Sequence, residues 1–91
     1  MQDGYKHTAL MWAARDGHLE CAKILAPLEK GMKDQWGWTA LMYAADGGYL
    51  DCVKILAPLE KGMNNNDGKT AKYYASKYNH KDCYDYLSFF E

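Results

Sequence analysis

The chain has 91 residues, which is one domain's worth. Its 11 Lys and Arg against 12 Asp and Glu leave a formal net charge of −1, so composition supplies no reason to expect nucleic acid or an anionic membrane as partner. No apolar run approaches the roughly 20 residues that span a bilayer, and the N-terminus carries no signal-peptide pattern, so a cytoplasmic protein is expected.

In chain order the dominant feature is repetition. Lys23 through Met32 returns letter for letter as Lys54 through Met63, 31 positions on. Thr8-Ala9-Leu10-Met11 recurs as Thr39-Ala40-Leu41-Met42 and, altered, as Thr70-Ala71-Lys72-Tyr73. A fixed period of this size predicts stacked supersecondary units. Aligned on the threonines, the units are 3–33, 34–64 and 65–91; the first two agree at 20 of 31 positions and the third matches the second at 9 of 27.

The second unit shows the elements most clearly. Asp34-Gln35-Trp36-Gly37-Trp38 reads as a turn, Thr39 as an N-cap, and Ala40 through Ala45 as a helix stopped by Gly47-Gly48. A second helix follows from Leu50, with Leu50, Val53 and Leu56 on one stripe and Cys52, Ile55 and Leu59 beside it; Asp51 and Lys54 fall opposite. Pro58 would cost a helical hydrogen bond, so a bend or restart is expected there, closed by Gly62. Pro27 and Gly31 predict the same in the first unit. The third unit has Phe89 at this position, so its last helix should run unbroken from about Lys81 to Phe90.

The cysteines Cys21, Cys52 and Cys83 share one phase of the repeat. Stacked helices lie about 8–10 Å apart, beyond the roughly 7 Å between Cα atoms that a disulfide tolerates. No second Cys or His stands at ligand spacing, so small core hydrophobes in a reducing compartment are expected, with no metal and no cofactor. His7, His18 and His80 sit in different phases, and no nucleophile–base pairing recurs. Glu29-Lys30 and Glu60-Lys61 read as solvated last turns, and Asn64 through Gly68 as a turn rather than a phosphate cradle. Nothing points to an enzyme.

A turn, a Thr-capped short helix, a Gly stop and a longer antiparallel helix together resemble the ankyrin repeat. The family's T-P-L-H-x-A phrase stands here as Thr8 through Ala13 and Thr39 through Ala44, continued by Ala14, Gly17-His18-Leu19-Glu20 and Lys23-Ile24-Leu25. The phrasing looks most like the ankyrin arrays of diplomonad protists, some of which are fused to protein kinases. The resemblance implies an all-α solenoid of three helix-turn-helix units filling residues 1–91. The period of 31 rather than 33 implies β-hairpin fingers shortened to tight turns. Met11 and Met42 replace a His whose ring would link neighbouring loops, leaving packing to substitute. Ala9 and Ala40 replace Pro at little cost, and at His18 the family's usual role is a structural hydrogen bond.

The two ends differ. Lys72, Lys77, Lys81, Tyr84 and Tyr86 replace residues of the second unit by polar or amphipathic ones, as a C-terminal cap requires. The first unit keeps Leu10, Met11, Leu19, Ile24 and Leu25 like an internal repeat. Either the chain belongs to a longer array or its N-terminal face is covered by a partner or a second copy.

Ankyrin arrays bind through turn tips and the first-helix surface lining their concave side. Carried over by position, the candidate partner-binding residues are Tyr5, His7, Trp12 and Arg15; Gln35, Trp36, Trp38, Tyr43 and Asp46; and Lys69, Tyr74 and Tyr78, with Asp16, Asp67 and Lys77 beside them. Trp and Tyr dominate interface hot spots. Trp12, Tyr43 and Tyr74 could equally fill the gap between helices, whereas Trp36 and Trp38 flank a turn glycine where burial is harder to arrange. The expected function is non-enzymatic recognition of a protein partner through this aromatic surface, within a larger array or scaffold. The alternative is a self-assembling module, a homo-oligomer stacking through the N-terminal face.

Overall fold

A computed structural model describes residues 5–90. The outermost residues of the first and third units, including Asp3 and Glu91, lie outside them. Six helices follow in order: α1 Ala9–Asp16, α2 Leu19–Glu29, α3 Ala40–Gly47, α4 Leu50–Glu60, α5 Ala71–Lys77 and α6 Lys81–Leu87. Each unit is an antiparallel pair. The short helices α1, α3 and α5 stack in one layer and the longer α2, α4 and α6 in a second.

Local chemistry sets the helix ends. Thr8 and Thr39 accept a hydrogen bond from the N–H of Met11 and Met42, supplying one of the acceptors a helix start lacks. Thr70 makes no such side-chain bond. Gly17 and Gly48 end α1 and α3 at φ of 73° and 77°, and the next residues, His18 and Tyr49, donate back to Ala13 and Ala44. In the third unit Asn79 takes this left-handed position at φ 62°, with His80 donating to Ala75.

Two expectations for the longer helices are corrected. Neither α2 nor α4 breaks at its proline; both run on to the glutamate two residues later. The proline stands near the C-terminal end on an exposed side of the helix, so the one hydrogen bond it removes is lost where water can replace it. The glycine closure does hold, with Gly31 and Gly62 at φ of 77° and 74°. The last helix stops at Leu87 instead of reaching Phe90. Ser88 directs both its N–H and its hydroxyl to the carbonyl of Tyr84, and the following residues tighten into bonds three positions back, Phe89 to Tyr86 and Phe90 to Leu87.

The core lies between the layers. Leu10, Met11, Leu41, Met42, Val53, Leu56 and Leu87 are fully buried, and Ala13, Ala14, Ala44, Ala45 and Ala75 let the short helices approach closely. Cys52 and Cys83 belong to this core, and burial with a neighbouring Asp charge raises both thiols, Cys83 to about 12. Cys21, expected to match them, is exposed. The cover that α2 lays over Cys52 has no counterpart among the described residues on the outer side of α2. In the third unit Lys72 Nζ lies 5.2 Å from the Tyr84 ring centroid, and Tyr86 packs on Phe90.

Candidate recognition surface

The turns between units form no strands among the described residues. Each is tied around one side chain. Asp34 N–H donates to the Trp38 carbonyl and Gly37 N–H to the Asp34 carbonyl, while Asp34 Oδ1 accepts from the N–H of both Trp36 and Trp38 at 2.9 Å. Asn65 repeats the device, its Oδ1 accepting from Asp67 and Lys69 N–H. Successive turns are laced by backbone bonds, Gln35 N–H to the Tyr5 carbonyl at 2.9 Å and Asn66 N–H to the Trp36 carbonyl at 3.0 Å. These bonds take over the linking role that packing alone was expected to fill where Met11 and Met42 stand. Met11 itself acts only within its own unit, its sulfur accepting from Thr8 N–H at 3.4 Å to complete the cap of α1.

The remaining atoms of Asp34 and Asn65 reach the helix layer. Asp34 Oδ2 accepts from the Tyr43 hydroxyl and lies 3.3 Å from His7 Nε2, and Asn65 Nδ2 donates to the Tyr74 hydroxyl at 2.7 Å. A continuous line of rings results. Trp12 meets His7 edge to face at 5.4 Å, His7 lies against Trp36 and Tyr43, and Tyr5 stacks on Trp36 at 5.4 Å with 20° between planes. Tyr43 passes to Trp38 at 4.9 Å, and Trp38 to Tyr74 at 4.3 Å.

Burial along this line is graded, and the gradient sorts the candidates. Tyr5, Trp12 and Trp36 are 53%, 43% and 46% exposed, Tyr43 and Trp38 are half-buried, and Tyr74 is buried. Trp36 therefore presents its ring outward, whereas Trp38 packs against the core between two tyrosines. Arg15 completes the exposed end, its guanidinium 5.0 Å from the Trp12 ring centroid. His7, Met11, Trp12, Arg15 and Tyr43 line a shallow depression of about 10 Å³, room for about one water and far below a cofactor cleft. The other candidates stand apart. Gln35 is exposed at the turn tip, and Lys69 places its ammonium 4.6 Å over Tyr73. Tyr78 sits under Lys77 at the far end of α5. Asp46 accepts through its carbonyl from His80 Nε2 at 3.0 Å, and burial raises its carboxyl above the ordinary value.

The principal correction concerns the glutamates of the duplicated segment. Glu60 is not solvated: it is 1% exposed, with Oε1 accepting from Leu41 N–H at 2.9 Å and Oε2 from Gly31 N–H at 2.8 Å. One carboxylate thus caps α3 of its own unit and the closing loop of the unit before. Burial raises its carboxyl above the ordinary value, with the two backbone donors pulling the other way. Glu29 does the first half of this, accepting from Leu10 N–H at 2.8 Å. The signal available in the sequence was phase, because Glu29, Glu60 and Glu91 recur at a strict interval of 31, which a merely solvated position does not require.

Among the described residues no group of His, Cys, Asp and Glu could hold a metal ion, and no helix is long and apolar enough to cross a membrane. The family model for ankyrin repeats (three copies) matches residues 10–89. The chain belongs to the ankyrin repeat family, an all-α solenoid whose members are in general protein–protein interaction modules and typically not enzymes. No curated protein matches the chain.

Proposed function

We propose that the chain is a non-enzymatic recognition module that holds a protein partner on the turn side of its first two units, as part of a larger cytoplasmic array or scaffold. Tyr5, Trp12 and Trp36, with Arg15, form the contact. The observation that carries this is the exposed end of the ring line: three large aromatic side chains open to solvent, Tyr5 stacked on Trp36, and Trp36 and Trp12 both held against the half-buried ring of His7. Rings fixed in this way lose little freedom on binding, so more of their burial appears as affinity. Trp, Tyr and Arg are also the residue types most often found as hot spots. Trp38, Tyr43 and Tyr74 serve behind them as support, and Gln35, Lys69, Asp46 and Tyr78 are peripheral to the contact.

The test separates the two tryptophans. Proteins captured from an extract of the source cell by the wild-type chain are challenged with Trp36→Ala and Trp38→Ala chains. Trp36→Ala should weaken capture by about 2–4 kcal/mol with helical content unchanged. Trp38→Ala should lower thermal stability first. Undiminished capture by a folded Trp36→Ala, Tyr5→Ala double variant would sink the assignment.

A further inference from the structure

The outer side of α2 carries Cys21, Ile24 and Leu28, with Ala9 and His18 beside them, and all five are exposed, Ile24 at 69% and Leu28 at 76%. The residues of the same phase in the second unit are Cys52, Ile55, Leu59, Ala40 and Tyr49. Four of these five are the same residue type as their first-unit counterparts, so the cover that the first unit places on the second is a template for what fits on the first. That cover buries Cys52 and Ala40 to 1% exposure, half-buries Ile55 and reduces Leu59 to 39%.

Two features of the cover are specific. The ring of Tyr49 lies over Gly17, where a Cβ would stand 2.7 Å from it, and the ring of His80 lies over Gly48, where a Cβ would stand 2.6 Å away. The glycine ending each short helix is therefore the seat for the ring that opens the next unit's long helix. The second feature is the Glu60 bridge, whose Oε2 takes the N–H of Gly31 from the preceding unit. Glu29 already caps Leu10 and is placed to make the same bridge with the loop glycine of a unit stacked upon it.

We propose that this face is a docking seat for one kind of occupant, an ankyrin-type unit whose short helix ends in glycine, stacked as the first unit stacks on the second. His18 would occupy the glycine seat, and Cys21, Ile24 and Leu28 would be covered. The inference rests on family membership and not on the aromatic surface. It also excludes the most direct alternative occupant, the last unit of a second copy. There the seat position is Asn79, at φ 62°, so a Cβ and an amide stand where Gly17 and Gly48 leave room for a ring. The chain is open to a glycine-ended unit at one end and closed to its own kind at the other, which blocks head-to-tail polymerisation.

The test joins an extra copy of residues 34–64 in register ahead of residue 3 of the full chain, and compares it with the same extension carrying Gly48→Asn in the added copy. The readout is the rate at which a thiol reagent modifies Cys21. With the glycine-ended extension that rate should fall at least about tenfold, towards the rate at Cys52, because modification then requires opening of a packed interface. The Asn extension should leave Cys21 close to its original reactivity. The unextended chain should sediment as a monomer with Cys21 reactive at all concentrations. Equal reactivity of Cys21 with and without the glycine-ended unit overturns the proposal. So does protection by the Asn extension, or concentration-dependent protection in the unextended chain, which would identify a second copy as the occupant.

Discussion

Replacing Glu60 by alanine tests how the units are joined. The side chain accepts two backbone hydrogen bonds, one from Leu41 within the buried start of α3 and one from Gly31 in the exposed loop before it. Truncation leaves the Leu41 N–H without its acceptor in a buried site, which costs about 1–3 kcal/mol. Gly31 can turn to water, so its loss is the smaller difference between a charge-assisted bond and a hydrated one, about 1 kcal/mol. Adding the lost packing of the stem gives a destabilisation of about 3–5 kcal/mol, a large fraction of the roughly 5–14 kcal/mol expected for a chain of this size. Glu29→Ala supplies the internal control. It sits in the same local sequence but makes one of the two bonds, to Leu10, and is only half-buried, so about 1–2 kcal/mol is expected. Urea denaturation followed by circular dichroism measures both, and the midpoint of thermal unfolding should fall by roughly 12–40 °C for Glu60→Ala. Equal losses below about 1 kcal/mol at both positions would show that these carboxylates are solvated and refute the reasoning.

Further outcomes follow from the turns, the thiols and the same carboxyl. Lys6 occupies the left-handed turn position, at φ 66°, that Gly37 and Gly68 fill in the next units, so Lys6→Gly should stabilise by about 0.5–1 kcal/mol in the same denaturation assay. Gly37→Ala should cost about 1–3 kcal/mol, since a Cβ there would meet Asn66 Oδ1 at 2.6 Å and its backbone nitrogen at 2.8 Å. A thiol reagent should modify Cys21 promptly and Cys52 and Cys83 only on unfolding; mass spectrometry showing three equal rates would contradict the burial pattern. Because burial raises the Glu60 carboxyl, the folded state holds that proton more tightly than the unfolded chain does. The stability it lends is greatest below the ordinary value and declines as pH rises through the raised one. The margin of wild type over Glu60→Gln should therefore narrow as pH rises from the ordinary glutamate range through the raised one, and a widening margin would mean that hydrogen bonding outweighs desolvation.

Much of the architecture is legible in the residues because the repeat enforces it. Thr39, Gly48, Leu50 and the Val53–Leu56 stripe stand where their local chemistry places them, as cap, stop and core. Two of the errors share a cause: they concern positions whose environment is made by a neighbouring unit. Glu60 looks solvated on its own helix and is buried only because Leu41 and Gly31 converge on it. Cys21 looks like a core residue by phase, yet its cover would come from another unit. Pro58 fails as a breaker because its place near the helix end makes the lost bond inexpensive. The surface shows the same limit. Phase brings Trp12, Tyr43 and Tyr74 into line, but nothing local reveals that exposure declines along it, because that gradient arises from Trp38 lying between Tyr43 and Tyr74. Asp34 and Asn65, which set the turns and anchor the tyrosines, escaped notice because single polar turn residues look interchangeable until their acceptors are counted.

The claim that recognition occurs at the exposed ring end is tested most directly by site-specific photo-crosslinking. A benzophenone amino acid replaces Trp36 in one chain and Lys54, on the exposed outward face of α4, in another, and each is irradiated in an extract of the source cell. The account predicts a discrete protein adduct from position 36 that disappears when unlabelled wild-type chain competes, and no such adduct from position 54. A competed adduct from position 54 with none from position 36 would place the partner on the opposite face and contradict it.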